Sequence, residues 1–168
     1  VVALLGNPNC GKTALFNLLT GSRQKVANYS GVTVERKEGR LTLESGKHIR
    51  ILDLPGAYSL YPRSLDERVT CNVLLGRAEG EKRPDLVICI LSAMNLRRNL
   101  RLVLAAKRLG LPCIVVLNML DIANRQGLQI DTTALSQELG LPVVTSVGIH
   151  PDGADQIKDR KSTRLNSS

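Results

Sequence analysis

One segment near the start of the chain has the residue types and spacing of a phosphate-binding loop, Gly6-Asn7-Pro8-Asn9-Cys10-Gly11-Lys12-Thr13. It fits the pattern G-x-x-x-x-G-K-[ST], whose glycines let the backbone curl so that successive N–H groups point at phosphate oxygens. Lys12 would reach the β- and γ-phosphates, and the Thr13 hydroxyl would bind Mg²⁺. A chance glycine turn before a helix is the alternative, but the apolar run Val1–Leu5 supplies the preceding strand that the motif needs. The segment therefore predicts binding of a nucleoside triphosphate.

Two further positions predict a nucleotide-dependent switch. Asp53-Leu54-Pro55-Gly56 follows an apolar run, so Asp53 would hold Mg²⁺ through water and the Gly56 N–H would approach the γ-phosphate. Thr33 lies between the first helix and the next strand, where a threonine closes over the γ-phosphate and binds Mg²⁺. Alone, the first pattern is a common turn and Thr33 a β-branched start of a strand. Their position after a phosphate-binding loop favours switch II and switch I.

A fourth segment, Asn118-Met119-Leu120-Asp121, predicts which base is bound. Guanine presents N1–H and N2–H₂ donors that a carboxylate such as Asp121 accepts, whereas adenine has no matching donors there. An unmatched buried carboxylate would cost several kcal/mol, which is enough to reject ATP. Asn118 would brace the loop and contact the base. The segment favours guanine over adenine.

Strand and helix signals alternate along the chain and predict a mostly parallel, doubly wound α/β sheet of about six strands. Residues 22–32 are polar and punctuated by glycine, which predicts a loop, and residues 34–43 and 48–52 predict a β-hairpin, the one antiparallel connection. Ser64 is the expected N-cap of a helix to Gly76, with Glu67 completing a capping box. The remaining predicted elements are strands at 1–5, 85–91, 112–117 and 142–145 and helices at 13–20, 96–109 and 131–139. In such a sheet the loops at the carboxyl ends of the strands carry the chemistry.

Composition limits the other classes of function. The 168 residues predict one ordinary globular domain, in which no apolar run is long enough to span a membrane, and we expect no signal peptide. Residues 159–168 resemble the translation of a sequencing-adapter oligonucleotide, so we expect a nucleotide-binding domain at 1–158, truncated at both ends, and a non-native tail at 159–168. Excluding the tail leaves 20 basic and 14 acidic residues, a net charge of +6 instead of +8. The cysteines are widely spaced and the two histidines isolated, so neither disulfides nor a metal cluster is expected.

The four motifs, together with the runs at residues 28–37 (NYSGVTVERK), 53–60 (DLPGAYSL) and 118–122 (NMLDI), resemble the GTPase domain of the ferrous iron transport protein B (FeoB) family. The resemblance implies a Ras-like P-loop fold, GTP hydrolysis that is slow, and a place as the N-terminal cytoplasmic domain of a transporter in the bacterial inner membrane. Lys12, Thr33 and Gly56 are the implied catalytic residues. The nucleotide contacts are implied at Gly6, Asn7, Pro8, Asn9, Cys10, Gly11, Lys12, Thr13, Gly31, Val32, Thr33, Val34, Glu35, Asp53, Leu54, Pro55, Gly56, Asn118, Met119, Leu120, Asp121, Ser146 and Val147.

The same resemblance implies two cations. Mg²⁺ would be held by Thr13, Thr33 and Asp53, and K⁺ by the Asn9 side chain with the backbone carbonyls of Ala27 and Tyr29. A K⁺ between phosphate oxygens supplies the positive charge that an arginine finger provides elsewhere. Ala57 occupies the place where many GTPases carry a water-orienting glutamine. K⁺ activation is therefore expected.

Other departures and alternatives follow from the resemblance. Tyr29 stands where the family usually has tryptophan, the segment 61–63 before the switch II helix is short, and the fifth motif, Ser146-Val147, lacks its closing helix. The implied partners are the guanine nucleotide and the helical and transmembrane parts of the same polypeptide, with a second copy of the chain as a further candidate. Alternatives are a ribosome- or tRNA-associated GTPase and a GTP-gated interaction module with little turnover. Nucleic acid is not expected, because one Phe, three Tyr and no Trp provide few stacking platforms.

Overall fold

The computed structural model describes residues 1–61 and 63–146, which form one mixed sheet with helices packed on both faces. The strands are β1 (Val2–Gly6), β2 (Gln24–Asn28), β3 (Glu35–Thr42), β4 (His48–Asp53), β5 (Leu86–Ser92), β6 (Cys113–Asn118) and β7 (Val143–Thr145). The helices are α1 (Lys12–Thr20), α2 (Leu65–Leu75), α3 (Leu96–Arg108), α4 (Leu120–Arg125) and α5 (Thr132–Leu139), with a short 3₁₀ turn at Ala93–Asn95. The strand order is β2-β3-β4-β1-β5-β6-β7.

The parallel part of the sheet brings the ends of four strands to one edge. β1 pairs in parallel with β4 and β5, and β5 with β6, with the registers Leu4↔Asp53, Gly6↔Ile90 and Ser92↔Asn118. The carboxyl ends of these strands therefore carry, side by side, the predicted phosphate-binding loop, the predicted switch II aspartate and the predicted base-recognition motif. This edge is where an open α/β sheet binds its ligands.

The core consists of two apolar layers, one on each face of the sheet. On one face, Phe16 and Leu19 of α1 pack against Leu4 and Ile51. The other face buries residues of α2 and α3, including Val73 and Val103. Residues 86–91 are at most 1% exposed, as expected for a parallel strand covered on both sides. The doubly wound α/β fold predicted from the sequence is confirmed.

Two details of the prediction were wrong. The predicted loop at residues 22–32 contains strand β2, which raises the strand count to seven and adds a second antiparallel pairing, to β3. Its residues lack alternating apolar side chains because it is an edge strand with four of its five residues exposed, so backbone pairing rather than burial holds it. Ser64 does cap α2 by accepting from the Glu67 N–H, but the Glu67 carboxylate binds other N–H groups instead of closing the capping box.

The remaining elements follow the prediction closely, with two additions. The hairpin of β3 and β4 is confirmed, and Asp131 caps α5 by accepting from the Ala134 N–H. The 3₁₀ turn and α4 are short elements that the sequence did not predict. Within the described ranges, no helix has the length and apolar character needed to cross a bilayer. The predicted domain end at residue 158 and the tail at 159–168 lie outside the described residues.

Candidate nucleotide-binding site

The phosphate-binding loop connects the end of β1 to the first turn of α1. Asn9 and Gly11 adopt left-handed backbone conformations, with φ angles of 67° and 93°. Gly11 is the N-cap of α1, and no side chain caps the helix there. The first N–H groups of α1 are therefore available to an anion, and the helix dipole adds positive potential at the same point.

A hydrogen-bonded bridge joins three of the predicted motifs. The Asn118 side-chain Nδ2 donates to the Cys10 carbonyl at 3.0 Å, and the Ser146 hydroxyl donates to the Asn118 Oδ1 at 2.6 Å. A Cβ atom at Gly11 would overlap the Asn118 Nδ2, so glycine is required there both for its φ and for this approach. The Asn118 segment is thereby fixed against the Gly6–Thr13 loop, which is the geometry that the predicted bracing role of Asn118 requires.

Replacing Gly11 with alanine should break this bridge. The alanine would have to adopt a disfavoured left-handed backbone conformation, and its Cβ would push Asn118 away from the Cys10 carbonyl. Together these two effects cost about 2–3 kcal/mol of binding-site stability. We expect the affinity for GDP to fall about 30-fold or more in a fluorescence titration. Gly127→Ala is the matched control, because Gly127 is also left-handed and has nothing within 4 Å of a built Cβ. Equal losses of GDP affinity in both variants would contradict the bridge.

The predicted Mg²⁺ ligands line one cleft of about 280 Å³ at the sheet edge. Lys12 forms an ion pair with Asp53, and both side chains are largely buried, with 11% and 5% exposed. Thr13 and Thr33 contribute hydroxyl groups to the same cleft. Oxygen ligands of this kind are those that Mg²⁺ prefers. The cleft thus combines a cation, a carboxylate and two hydroxyls where the terminal phosphates would lie.

Switch I is anchored at one end by a buried aromatic residue. Tyr29 is 5% exposed and packs in the apolar layer with Val34, and its N–H donates to the Val34 carbonyl at 2.9 Å. Its carbonyl accepts from the Val32 N–H at 3.2 Å in a turn with Gly31 at a φ of 75°. Burial raises the pKa of the Tyr29 hydroxyl, which has no hydrogen-bond partner among the described residues. Thr33 stays exposed beside this anchor.

Switch II rests on the phosphate-binding loop and on one buried carboxylate. The Ala57 N–H donates to the Gly6 carbonyl at 3.1 Å, and a Cβ at Gly56 would lie 3.0 Å from Pro8 Cγ. Glu67, 9% exposed, accepts from the backbone N–H groups of Tyr58 at 3.1 Å and of Ser59 and Arg63 at 3.4 Å each. Among the described residues, the Gly56 N–H donates to no group. It is therefore free to bind a phosphate oxygen.

Replacing Glu67 with glutamine should loosen switch II without removing any group from the cleft. The amide keeps one acceptor oxygen but loses the charge and turns an NH₂ group toward backbone donors, at a cost of about 1–3 kcal/mol. We expect the Tyr58 and Ser59 amide protons to exchange about tenfold faster in hydrogen-exchange measurements, with GDP affinity nearly unchanged. Glu79→Gln, at an exposed carboxylate, is the control. Unchanged exchange at Tyr58 would argue against this anchor.

The base-recognition segment turns from β6 directly into α4. Met119 adopts a left-handed conformation with a φ of 61°, and its Sδ accepts from the Ser92 hydroxyl at 3.4 Å. Asp121 lies in the first turn of α4 with an exposed side chain. A carboxylate is favoured at a helix N-terminus, so the helix stabilises the charge that a guanine edge would meet.

The three predicted K⁺ ligands lie in different segments: Asn9 in the loop after β1, Ala27 in β2 and Tyr29 just after β2. Ala27 belongs to β2, opposite Arg36, and the Tyr29 carbonyl is already bound by Val32. No hydrogen bond within the described ranges joins Asn9 to Ala27 or Tyr29. Val147, of the fifth motif, lies outside the described residues.

Sequence reasoning missed the side-chain contacts of two residues, Glu67 and Ser146. Glu67 was assigned to a capping box because the S-x-x-E pattern fits that motif, and nothing in the pattern revealed its bonds to switch II. The Ser146 hydroxyl was also missed, since only the backbone N–H groups of the fifth motif were considered. Its spacing of 28 residues from Asn118 carries no local signal.

The family described as Ferrous iron transport protein B matches residues 1–161. The chain is 48% identical over 161 residues to the Fe(2+) transporter FeoB of Escherichia coli (strain K12) and 49% identical to that of Salmonella typhimurium (strain LT2). Each alignment covers 94% of this chain and 20% of the relative. The chain thus spans a fifth of the length of these relatives.

Solved structures give the same picture. The G domain of the T. maritima FeoB iron transporter superposes with a TM-score of 0.84 at 40% identity, covering 98% of this chain and 97% of that one. The FeoB G-domain from Methanococcus jannaschii gives 0.81 at 34% identity, covering 98% and 96%. An S. thermophilus NFeoB E67A mutant bound to GDP gives 0.82 at 43% identity, covering 92% and 58%.

Proposed function

The chain belongs to the ferrous iron transport protein B family, and we propose that it is the GTP-binding and GTP-hydrolysing domain of an Fe²⁺ transporter, acting as a nucleotide switch. The observation that carries this proposal is that Lys12, Thr13, Thr33 and Asp53 line one cleft beside the Asn118 bridge. The similarity to a GDP-bound FeoB domain supports guanine nucleotide as the ligand. The localisation that goes with it is the cytoplasmic face of the bacterial inner membrane, with the helical and membrane parts of the same polypeptide as partners.

The proposed phosphate binding starts from the ion pair in the cleft. Lys12 holds its ammonium group against Asp53, at the position where the β- and γ-phosphates would enter. A triphosphate competes for this ammonium, and the N–H groups at the start of α1 and that of Gly56 bind its oxygens. Asp53 is then released from Lys12. Nucleotide binding and switch II are linked through this exchange, because Asp53 ends β4 and Gly56 lies in the loop that follows it directly.

The oxygen atoms in the cleft fit Mg²⁺. Thr13 and Thr33 would hold it through their hydroxyls and Asp53 through water. When bound, Mg²⁺ neutralises charge on the phosphate oxygens. Thr33 is exposed next to the Tyr29 anchor and already lines the cleft in which it would close over the γ-phosphate.

Hydrolysis in this proposal relies on backbone groups to position water. Ala57 is fully buried and carries no polar side chain, so it cannot orient the attacking water. The Thr33 backbone and the Gly56 N–H are the proposed positioning groups, consistent with slow turnover. We propose that K⁺, held by Asn9 with the carbonyls of Ala27 and Tyr29, adds the missing positive charge. Gathering these ligands requires the Tyr29 carbonyl to exchange or share its bond to Val32.

Titration with nucleotides in the presence of Mg²⁺ tests the proposal. We expect GTP and GDP to bind in the micromolar range or tighter and ATP at least 100-fold more weakly, since adenine offers no donors to Asp121. Equal binding of ATP and GTP would overturn guanine recognition. Guanine nucleotide binding without any phosphate release would instead favour a GTP-gated interaction module with little turnover.

A further inference from the structure

A basic surface lies on the antiparallel part of the sheet, away from the nucleotide cleft. Gly39 faces α1, because its built Cβ would meet Thr20, so the alternate residue Arg40 projects from the opposite face. Arg40 is opposite Arg50 of β4, and its N–H donates to the Arg23 carbonyl. We call the groove formed there the basic sheet face. Its lining residues are Arg23, Gln24, Lys25, Glu38, Gly39, Arg40 and Arg50, around a volume of about 540 Å³.

The positive charge of this face is only partly compensated. Among the described residues, Glu38 is the single carboxylate that lines it, and it is shared by Arg50 and by Arg36. Across the part of the chain that the structure describes, Arg40 and Lys25 have no ion-pair partner. Four cations and one carboxylate leave a net charge of +3 on one open groove.

The pairing of Arg40 with Arg50 adds a second, independent observation. Like charges placed directly opposite each other on neighbouring strands destabilise a sheet. Glu38 relieves the repulsion for Arg50 only. An anion bound over the guanidinium groups of Arg40 and Arg50 would remove the repulsion between them and would accept charge-assisted hydrogen bonds from both.

We propose that the basic sheet face docks onto the phosphate headgroups of an anionic lipid membrane. The choice of a membrane rests on the proposed function, because a domain that makes up a fifth of an Fe²⁺ transporter is tethered beside a bilayer. Tethering raises the effective concentration of lipid near the domain, so a surface with low affinity for lipid is sufficient for docking. Within residues 1–61 and 63–146, no aromatic side chain lines the groove to stack bases, which disfavours single-stranded nucleic acid. Arg50 precedes Asp53 by three residues, about 10 Å along β4. A membrane bound at Arg50 would therefore contact a surface separate from the nucleotide cleft.

Vesicle sedimentation of the full chain tests this docking. Vesicles of phosphatidylglycerol and phosphatidylethanolamine should bind the chain at low salt, binding should fall steeply as salt rises, and phosphatidylcholine vesicles should bind little. Each positive charge near the surface contributes about fivefold in partitioning, so Arg40→Glu, which changes the charge by two, should lose about 25-fold. Arg101→Glu changes the charge by the same amount at an exposed position on α3 that does not line the groove. It should retain binding, apart from the small effect of net charge. Arg40→Glu should also raise Tm, because it replaces the repulsion with an attraction to Arg50.

Four results would overturn the proposal. The first two are an equal loss of vesicle binding in Arg40→Glu and Arg101→Glu, and equal binding of the chain to phosphatidylcholine vesicles and to anionic vesicles. The third is tighter binding of polyglutamate or RNA than of anionic vesicles. The fourth is that inorganic phosphate displaces the chain from anionic vesicles more effectively than chloride does at the same ionic strength. The last result would mean a pocket for small anions. GTP binding measured on the same preparations separates this proposal from the preceding one. Vesicle binding with no GTP binding would refute the nucleotide site alone.

Discussion

Replacing Lys12 with alanine should abolish binding of the nucleoside triphosphate. Lys12 is the one side-chain cation that lines the cleft from the phosphate-binding loop, and in the free chain it pairs with Asp53. Removing it takes away the contact to the β- and γ-phosphates and leaves a buried carboxylate that repels them. We expect the affinity for GTP to fall at least 1000-fold in a titration with Mg²⁺.

The same change should also destabilise the fold, so stability must be separated from binding. An unpaired Asp53 in a site that is 95% buried costs about 3 kcal/mol, which a denaturant titration would register. The double variant Lys12→Ala/Asp53→Asn removes both charges and should regain most of the stability without regaining GTP binding. If Lys12→Ala were folded and still bound GTP in the micromolar range, the phosphate-binding role would be wrong.

Replacing Asp121 with asparagine should change the preferred base from guanine to xanthine. The carboxylate accepts from two donors of guanine, whereas an amide can donate to the 2-carbonyl of xanthine. We expect GTP affinity to fall on the order of 10³-fold and xanthosine triphosphate to become the tighter ligand in a competition titration. The side chain is exposed at the start of α4, so the fold should tolerate the change.

A matched substitution controls for the general effect of losing a carboxylate. Asp131→Asn makes the same chemical change at the N-cap of α5, where asparagine caps equally well. It should leave both stability and base preference unchanged. Unaltered selectivity for GTP in Asp121→Asn would remove Asp121 from base recognition.

The motifs at the strand ends could be predicted because each is a local pattern with a local cause. Gly6, Gly11 and Lys12 specify a turn and a charge within eight residues, and the fully apolar strand at 86–91 predicts a parallel sheet that brings such loops to one edge. Strand β2 could not be predicted in this way, because its exposed residues show no alternation and only its pairing with β3 defines it.

Contacts between distant side chains were also beyond local pattern reasoning. The carboxylate of Glu67 could accept from the N-cap of α2, as in a capping box, or from the N–H groups of switch II. Only the fold of switch II determines which donors it binds. The Asn118 bridge joins residues 108 and 28 positions apart, which no spacing rule encodes. The opposed Arg40 and Arg50 likewise became visible only from the register of the hairpin.

Phosphate release from GTP, measured with the wild-type chain in K⁺ and in Na⁺ at matched ionic strength, tests the proposed switch as a whole. The proposed function predicts slow release with Mg²⁺ that is faster in K⁺ than in Na⁺, because K⁺ supplies positive charge that the apolar side chain of Ala57 cannot. The K⁺ stimulation should be lost in Asn9→Ala, while GDP binding is retained. Release at equal rates in the two salts would contradict the K⁺ site, and no release from GTP in either would contradict the assignment as a GTPase.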